Sequence, residues 1–464
     1  MAEITRRKYL GGSAVVLGGL LAAACGETEE TGGGETQPAA QQQPAAQTQA
    51  QAQPQPAMTK GPKTIGFHTD WVSPKRAASI DRALKIWEQM HPEWKIEGLF
   101  VPGQDDNLSQ VVISMAAGTE GDITLWEMYA VELWASRGAF LDVTAAVKKL
   151  GYNIEDHYYA PWTAFYQGKQ IGMPFQWNVQ YWQFNKTIFD RFQAPYPPED
   201  WTWEDIPEIA KTVTDKEENI WGVNFGDVPF WHTYLLWDAP ILNEDFTKSG
   251  FDTPNGLAMM EWYHDLIFKH GVAPKYDEWR EKLRKEGGVV AFGPGSGVPW
   301  GRYKNTLDND GFELDIATLP TLERTGKKIA GVFDQPHMVL RAAERHDVVD
   351  EVTHFLFFMA GDEMGQILSE ELPGGIPSKK SIVHSKEHFL RTPPENVERV
   401  LESFKHMVWS YPPFPHTLPW INAHRFLARD MWSGKLSVRA FAQQADIAVD
   451  QALQGAPDAA YRRS

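Results

Sequence analysis

Thr64-Ile65-Gly66-Phe67, then Ala77, Ile80, Leu84 and Trp87, then the run from Ile96 to Val101 decide the fold of this chain. The first four residues read as a short strand. The next four are apolar at three- and four-residue spacing, the stripe of an amphipathic helix, and residues 96–101 read as a second strand. The unit repeats: Leu108, Val111, Val112 and Met115 mark a second helix that Gly118 is placed to cap. Residues 122–125 form a third strand, and a helix follows over about 127–136 that Gly138 ends. Strands alternating with helices imply right-handed β-α-β connections and a parallel sheet. In such sheets ligands gather at the carboxyl ends of the strands. That rule singles out His68, Asp70 and Trp71 after the first strand, and Trp126 and Glu127 after the third.

The chain has 464 residues, with 44 Lys and Arg against 61 Asp and Glu, a net charge of −17, 19 Trp and one Cys. The length exceeds one core of ordinary size, so two lobes or domains are expected. The negative charge repels a phosphate backbone and leaves no basic footprint, which argues against nucleic acid as a partner. A single Cys rules out an internal disulfide framework, Cys-based zinc fingers and thiolate-bound iron–sulfur clusters. The body holds no apolar run of about 18 residues, the length a membrane span needs, and it reads as water-soluble.

The N-terminus reads Thr5-Arg6-Arg7-Lys8-Tyr9-Leu10, then an apolar stretch over 11–24 that ends in Ala22-Ala23-Ala24-Cys25. Charged, apolar and small-residue regions in that order are those of a secretory signal over 1–24. The paired arginines before an aromatic and a Leu resemble a twin-arginine export signal. Cys25 sits where a lipoprotein signal peptidase would cut, which makes it the expected lipidation site. The match departs from the usual pattern, since Ala22 stands where Leu is customary and Leu21 lies one place earlier. The alternative is cleavage after Ala24 with an incidental thiol. Residues 25–62 are Gly/Glu/Thr-rich and then Gln/Ala/Pro-rich, too poor in apolar groups to fold. As a coil the segment reaches roughly 30–35 Å and makes a tether.

Farther along, an ordered set of short motifs accumulates: Ala116-Ala117-Gly118-Thr119, Gly121-Asp122-Ile123 and Gly138-Ala139-Phe140-Leu141-Asp142-Val143-Thr144. Then come Gly168-Lys169-Gln170-Ile171-Gly172-Met173-Pro174, Phe184-Asn185-Lys186-Thr187-Ile188-Phe189 and Pro197-Pro198-Glu199-Asp200-Trp201-Thr202-Trp203-Glu204. Gly288-Val289-Val290-Ala291-Phe292 with Trp300, Leu319-Pro320 and Gly374-Gly375-Ile376-Pro377-Ser378 complete the series. In this order the chain resembles the family 1 extracellular solute-binding proteins over nearly all of 63–464. Those are capture subunits of ABC importers, usually for sugars and oligosaccharides. The resemblance implies an α/β, two-lobe periplasmic-binding-protein-like fold with a hinge crossed more than once and a ligand cleft between the lobes. The crossings are expected near 172–176, 331–334 and 375–378. One lobe then comprises 63–173 and 333–375, the other 176–330 and 379–464.

For the cleft, an indole offers a flat apolar face suited to the C–H side of a pyranose, while the ring hydroxyls need carboxylate, amide or guanidinium partners. Trp126, Trp177, Trp231 and Trp300 fall after expected strands or beside Gly and Pro, and are the candidate platforms, with Trp71 beside them. Trp87, Trp134 and Trp262 sit on apolar helical faces and are assigned to the core. Asp70, Glu127, Asn178 and Asp334 are the candidate polar contacts, with Gln335 next. Gly293-Pro294-Gly295-Ser296-Gly297 suits backbone contacts to a hydroxyl or an anion, but lacks the Lys-Ser/Thr of a phosphate loop. Trp409-Ser410-Tyr411-Pro412-Pro413-Phe414-Pro415-His416 is a rigid aromatic segment that lines the cleft or braces it.

The competing class is a secreted carbohydrate-active hydrolase, because a Trp-rich cleft with paired carboxylates suits a glycosidase too. No Gly-x-Ser-x-Gly elbow occurs, Gly295-Ser296-Gly297 being only part of one, and no His-Glu-x-x-His is present among the 14 His. The expectation is a non-enzymatic, monomeric, extracytoplasmic receptor anchored by lipid at Cys25, with a small-molecule ligand, a saccharide first. Its partner is a membrane permease, and it has no cofactor and no metal. A polyamine or another cation remains an alternative ligand, since aromatic and carboxylate lining also suits a cation.

Overall fold

β1 (Lys63–Thr69), β2 (Trp94–Phe100) and β3 (Ile123–Leu125) pair in parallel, as the sequence periodicity predicts, and β1 lies in the middle. The computed structural model describes residues 63–102, 104–159, 164–225, 231–239, 241–283, 289–371, 375–412, 414 and 416–454. The expected export signal, Cys25 and the tether lie outside the described residues, as do Gly374, Pro413, Pro415 and 455–464. α1 (Pro74–Met90) follows β1 and turns Ile80, Ala83 and Trp87 inward; Pro74 opens it, where a missing N–H costs no helical hydrogen bond. α2 (Gln104–Ala117) and α3 (Met128–Ser136) complete the repeats. Gly118 and Gly138 take φ of +67° and +71° just past these two helices, the left-handed stop that favours glycine.

The sheet departs from the all-parallel expectation. After a small hairpin of β4 (Phe165–Tyr166) and β5 (Lys169–Gln170), the strand β6 (Gly172–Val179) enters it. β6 pairs antiparallel with β11 (Ala330–Val339), which is itself antiparallel to β3, and β12 (Ile376–Pro377) closes the edge beside β6. The order is β12-β6-β11-β3-β1-β2, with β13 (Met407–Trp409) parallel to β11 at its first residues. β6 and β11 carry residues of two cores and so cross between two halves of the chain, and the β-α-β handedness argument does not govern their direction. A second sheet, β10-β7-β9-β8, is built from β7 (Tyr181–Asn185), β8 (Ile220–Val223), β9 (Val289–Gly295) and β10 (Leu314–Ala317).

Core membership shows where the chain crosses. Met173 and Phe175 pack with Ile65, Phe67, Trp87 and Phe355, whereas Trp177 and Val179, farther along the same strand, pack with Trp182, Phe184 and Trp420. On β11, Ala330 and Val332 belong to the second core and Val339 to the first. A third apolar cluster, with Val111, Trp126, Phe140, Met338 and Leu340, includes residues of α2, α3 and β11. The β6–β11 register shifts between Gln335 and Pro336, so that Pro336 faces Pro174 while Gln335 faces Gln176 and Phe175 is left unpaired. A bulge bends and twists a strand pair locally, and here it falls where the strands change cores. On the two flanks of this crossing the halves touch: helix Thr417–Trp432 packs on α3, and helix Pro299–Asp310 packs on helix Asp362–Glu371. No helix among the described residues is long and apolar enough to cross a membrane.

Candidate functional site

Three side chains form a row across the crossing. Gln176 Nε2 donates to Gln335 Oε1, and Gln335 Nε2 donates to Glu127 Oε1. Gln176 and Gln335 are buried on neighbouring strands, and Glu127 is half-buried where β3 ends and α3 begins. Gln176 Oε1 is buried without a hydrogen-bond partner among the described residues. Beside the row, Asn178 Oδ1 accepts the Gly375 N–H at 3.3 Å, and the Asp334 N–H donates to Met128 Sδ at 3.2 Å. Asp334 itself is 2% exposed. Tyr129 of α3 meets Tyr411 edge to face at 5.6 Å, and Tyr411 meets Phe333 the same way at 5.8 Å. This aromatic contact joins α3 to the segment after β13.

At the end of β1, burial pushes the Asp70 carboxyl above its ordinary range, and the nearby Arg76 guanidinium offsets part of that rise. Arg76 also stands 5.1 Å from the centre of the Trp71 ring. Buried polar atoms without a partner among the described residues recur at this end of the sheet: Trp71 Nε1 after β1, Trp126 Nε1 after β3, and Asn107 Oδ1, whose amide nitrogen donates to Leu125 O at 3.4 Å.

Glu127, Asn178, Asp334 and Gln335 are thus brought to the crossing, and Asp70 to the end of β1. Three of the expected platforms lie within packed clusters. Trp71 is fully buried and packs on Phe175 at 5.0 Å. Trp126 is 1% exposed, edge-on to Phe140 at 5.2 Å. Trp177 is stacked on Tyr159 at 5.1 Å, flanked by Phe404 at 4.9 Å, and donates Nε1–H to Pro377 O at 3.0 Å. Protein groups pack around these indoles, and all three belong to the interior clusters. Trp300 is half-buried, with the Arg391 guanidinium 4.3 Å from its ring centre. Trp231 opens helix Trp231–Leu236, and its side chain lies outside the described residues. In the glycine-rich loop, Ser296 O accepts from Arg302 Nε at 2.7 Å, a contact that braces the loop on its own half.

Residue spacing did not point to a cavity beside the second sheet. Trp182, Trp203, His232, Thr233, Leu236, Tyr263 and Leu319 form its buried wall, and Gln180, Phe225, Pro294 and Ile329 are its half-buried lining. Gln180 immediately follows β6, its N–H bonded to Gly331 O at 2.9 Å, so the cavity lies next to the crossing. The His232 ring presses on Gly331, where a Cβ would come within 2.4 Å of it. Burial pushes the His232 imidazole down to about 3, so it is neutral near pH 7. The one sequence signal for this cavity is the Trp201-Thr202-Trp203 cluster, which the motif reading used only for order. Among the described residues no group of three or more His, Cys, Asp or Glu is placed to hold a metal ion.

The family model for bacterial extracellular solute-binding proteins matches residues 68–366. No curated protein matches the chain by sequence. Among solved structures the chain is similar to the ABC substrate-binding protein Lmo0181 from Listeria monocytogenes in complex with cycloalternan: 20% identity over 84% of this chain and 99% of that one, TM-score 0.72. It is similar also to an ABC transporter solute-binding protein from Thermotoga lettingae bound with alpha-D-tagatose, at 17% identity over 84% and 100%, TM-score 0.69. Maltose-bound MalE3 of T. maritima matches at 16% identity over 84% and 99%, TM-score 0.67. At such identities the likeness is one of fold.

Proposed function

The chain belongs to the bacterial extracellular solute-binding proteins, and from that membership we propose that it is an extracytoplasmic receptor of an ABC importer that captures a sugar or oligosaccharide and delivers it to a membrane permease. The observation that carries the reading is the Glu127–Gln335–Gln176 row, a carboxylate and two amides linked across the strands where the two cores meet. Carboxylates and amides are the partners sugar hydroxyls need, and indole and phenol rings such as Trp300 and Tyr411 suit the C–H faces. The similar structures were solved with cycloalternan, tagatose and maltose, which favours a saccharide over a polyamine.

Capture on this reading is lobe closure, with 63–173 and 333–375 moving against 176–330 and 379–464. A ligand shifts that equilibrium only by its differential affinity for the closed state. Taking closure from 1:99 to 99:1 requires about 5.5 kcal/mol. A handful of hydrogen bonds worth about 1 kcal/mol each, with one or two stacked rings, is enough. Asp70, Glu127, Asn178, Asp334 and Trp300 are the proposed contacts, with Trp231 a further candidate. None of these roles involves bond cleavage, and the protein acts as a binder rather than an enzyme. Arg6-Arg7 and Cys25 assign twin-arginine export and a lipid anchor, and the 25–62 segment holds a monomeric receptor near the permease.

Thermal unfolding of the purified chain against mono- and oligosaccharides, polyols and polyamines tests the reading. A saccharide that raises the midpoint further as its concentration grows and is recovered intact supports it. Recovery of cleaved sugar overturns it in favour of a hydrolase. For the anchor, Cys25→Ser moves the protein from the membrane to the soluble fraction; unchanged partition refutes lipidation at that residue.

A further inference from the structure

The cavity beside the crossing differs in chemistry from the row at Glu127. Its deep wall is aromatic: Trp203 lies edge-on to Trp182 at 5.7 Å and stacks on Phe225 at 5.7 Å, with Tyr263 beside them. No carboxylate or cation lines it among the described residues, and its polar side chains are Gln180, His232, Thr233 and the Tyr263 hydroxyl. Thr233 is hydrogen-bonded to the Tyr263 hydroxyl. The cavity measures about 40 Å³, where one water needs about 10–15 Å³ on the same measure. It therefore has room for about three heavy atoms, a substituent and not a pyranose ring. A ring hydroxyl pushed against the faces of Trp182, Trp203 and Phe225 loses water without a partner there, at about 1–3 kcal/mol. A methyl group gains there instead, provided the atom that carries it finds one polar contact at the mouth.

We propose that this pocket takes the acetyl part of an acetamido group, so that the receptor prefers N-acetylated saccharides over their unsubstituted counterparts. The acetyl methyl lies against Trp203 and Trp182, its carbonyl accepts from the Gln180 side-chain amide, and the sugar ring stays in the cleft with its hydroxyls on the polar row. The inference rests on the receptor reading above and specifies which saccharide that receptor takes.

Titration calorimetry on the full chain with matched sugars tests it: the N-acetylated, free-amine and unsubstituted members of the gluco, galacto and manno series, as monomers and as linked dimers. The expected result is at least one series in which the N-acetylated member binds tenfold or more tightly than both others. Ile329→Phe, which fills the cavity, then brings that ratio near one while binding of the unsubstituted sugar persists. Gln180→Leu, which keeps the volume and removes the donor, lowers the same ratio several-fold. Equal or tighter binding of the unsubstituted sugars overturns the inference and leaves the receptor standing. A ratio that survives both variants overturns it as well, by placing the acetyl group elsewhere. Binding of no saccharide of any kind removes the receptor reading, and this inference with it.

Discussion

Pro174 and Pro336 stand opposite each other in the ladder between β6 and β11, and neither has an N–H to give to it. Next along, Gln176 faces Gln335, and their side-chain amides bond to each other. Backbone donors are therefore missing where the chain crosses from one core to the other, and a side-chain link stands beside the gap. Such a pair of strands bends at lower cost than a full ladder, while the amide link keeps the two in register.

Gln335→Leu cuts that link, leaving Gln176 Nε2–H without its acceptor and Glu127 without one donor. Leaving a buried donor unmet costs about 1–3 kcal/mol. Urea unfolding shows an unfolding free energy lowered by that amount, as a lower midpoint at unchanged slope, and calorimetry shows saccharide affinity lowered tenfold or more.

Gly375 has φ of +72°, and a Cβ there lies 1.8 Å from Gln176 Oε1. Gly375→Ala pays about 1–2 kcal/mol for the left-handed backbone and also displaces the Gln176 side chain. The unfolding midpoint drops by several degrees. Small-angle scattering shows less ligand-induced compaction than in the parent, because the row at the crossing has been pushed out of place.

On the proposed reading Trp177 is a core residue and Trp300 a cleft residue. Trp177→Ala costs about 3–5 kcal/mol, the range for emptying a buried aromatic site. Trp300→Ala removes a half-buried ring under Arg391 and leaves the unfolding free energy within about 1.5 kcal/mol of the parent. Saccharide affinity falls in the Trp300 variant. Paired denaturation and titration experiments on the two variants distinguish the roles.

Burial holds His232 and His337 down to about 3, and His68 and His424 down to about 4. Their folded-state values lie below the unfolded value near 6.5, so the unfolded chain binds more protons between about pH 6.5 and 4. Stability is full above about pH 6.5 and falls on acidification through that window, by roughly 1.4 kcal/mol per pH unit for each histidine. His337 packs between Phe67 and Phe175, and neither ring nitrogen has a hydrogen-bond partner among the described residues. His337→Phe thus sacrifices no bond. Urea titrations at pH 7, 6 and 5 show a shallower loss for the variant than for the parent.

The strand–helix alternation that yields β1, α1, β2, α2, β3 and α3 was readable from the sequence alone. Apolar spacing and a glycine after a helix act between residues a few positions apart, and so did the motif order that pointed to the family. Glu127 was singled out because it follows a strand, and Asp334 because it lies where the chain was expected to cross. Which tryptophans face a ligand was not readable, since Trp71, Trp126 and Trp177 are enclosed by Phe175, Phe140 and Tyr159, groups set far from at least one of them in the chain. The polar row joins residues 159 and 208 positions apart. The aromatic cavity gathers side chains from Gln180 to Ile329. Only tertiary packing decides these features, because burial and hydrogen-bond partnership depend on what distant segments bring to a side chain, whereas helix and strand periodicity depends on its neighbours in sequence.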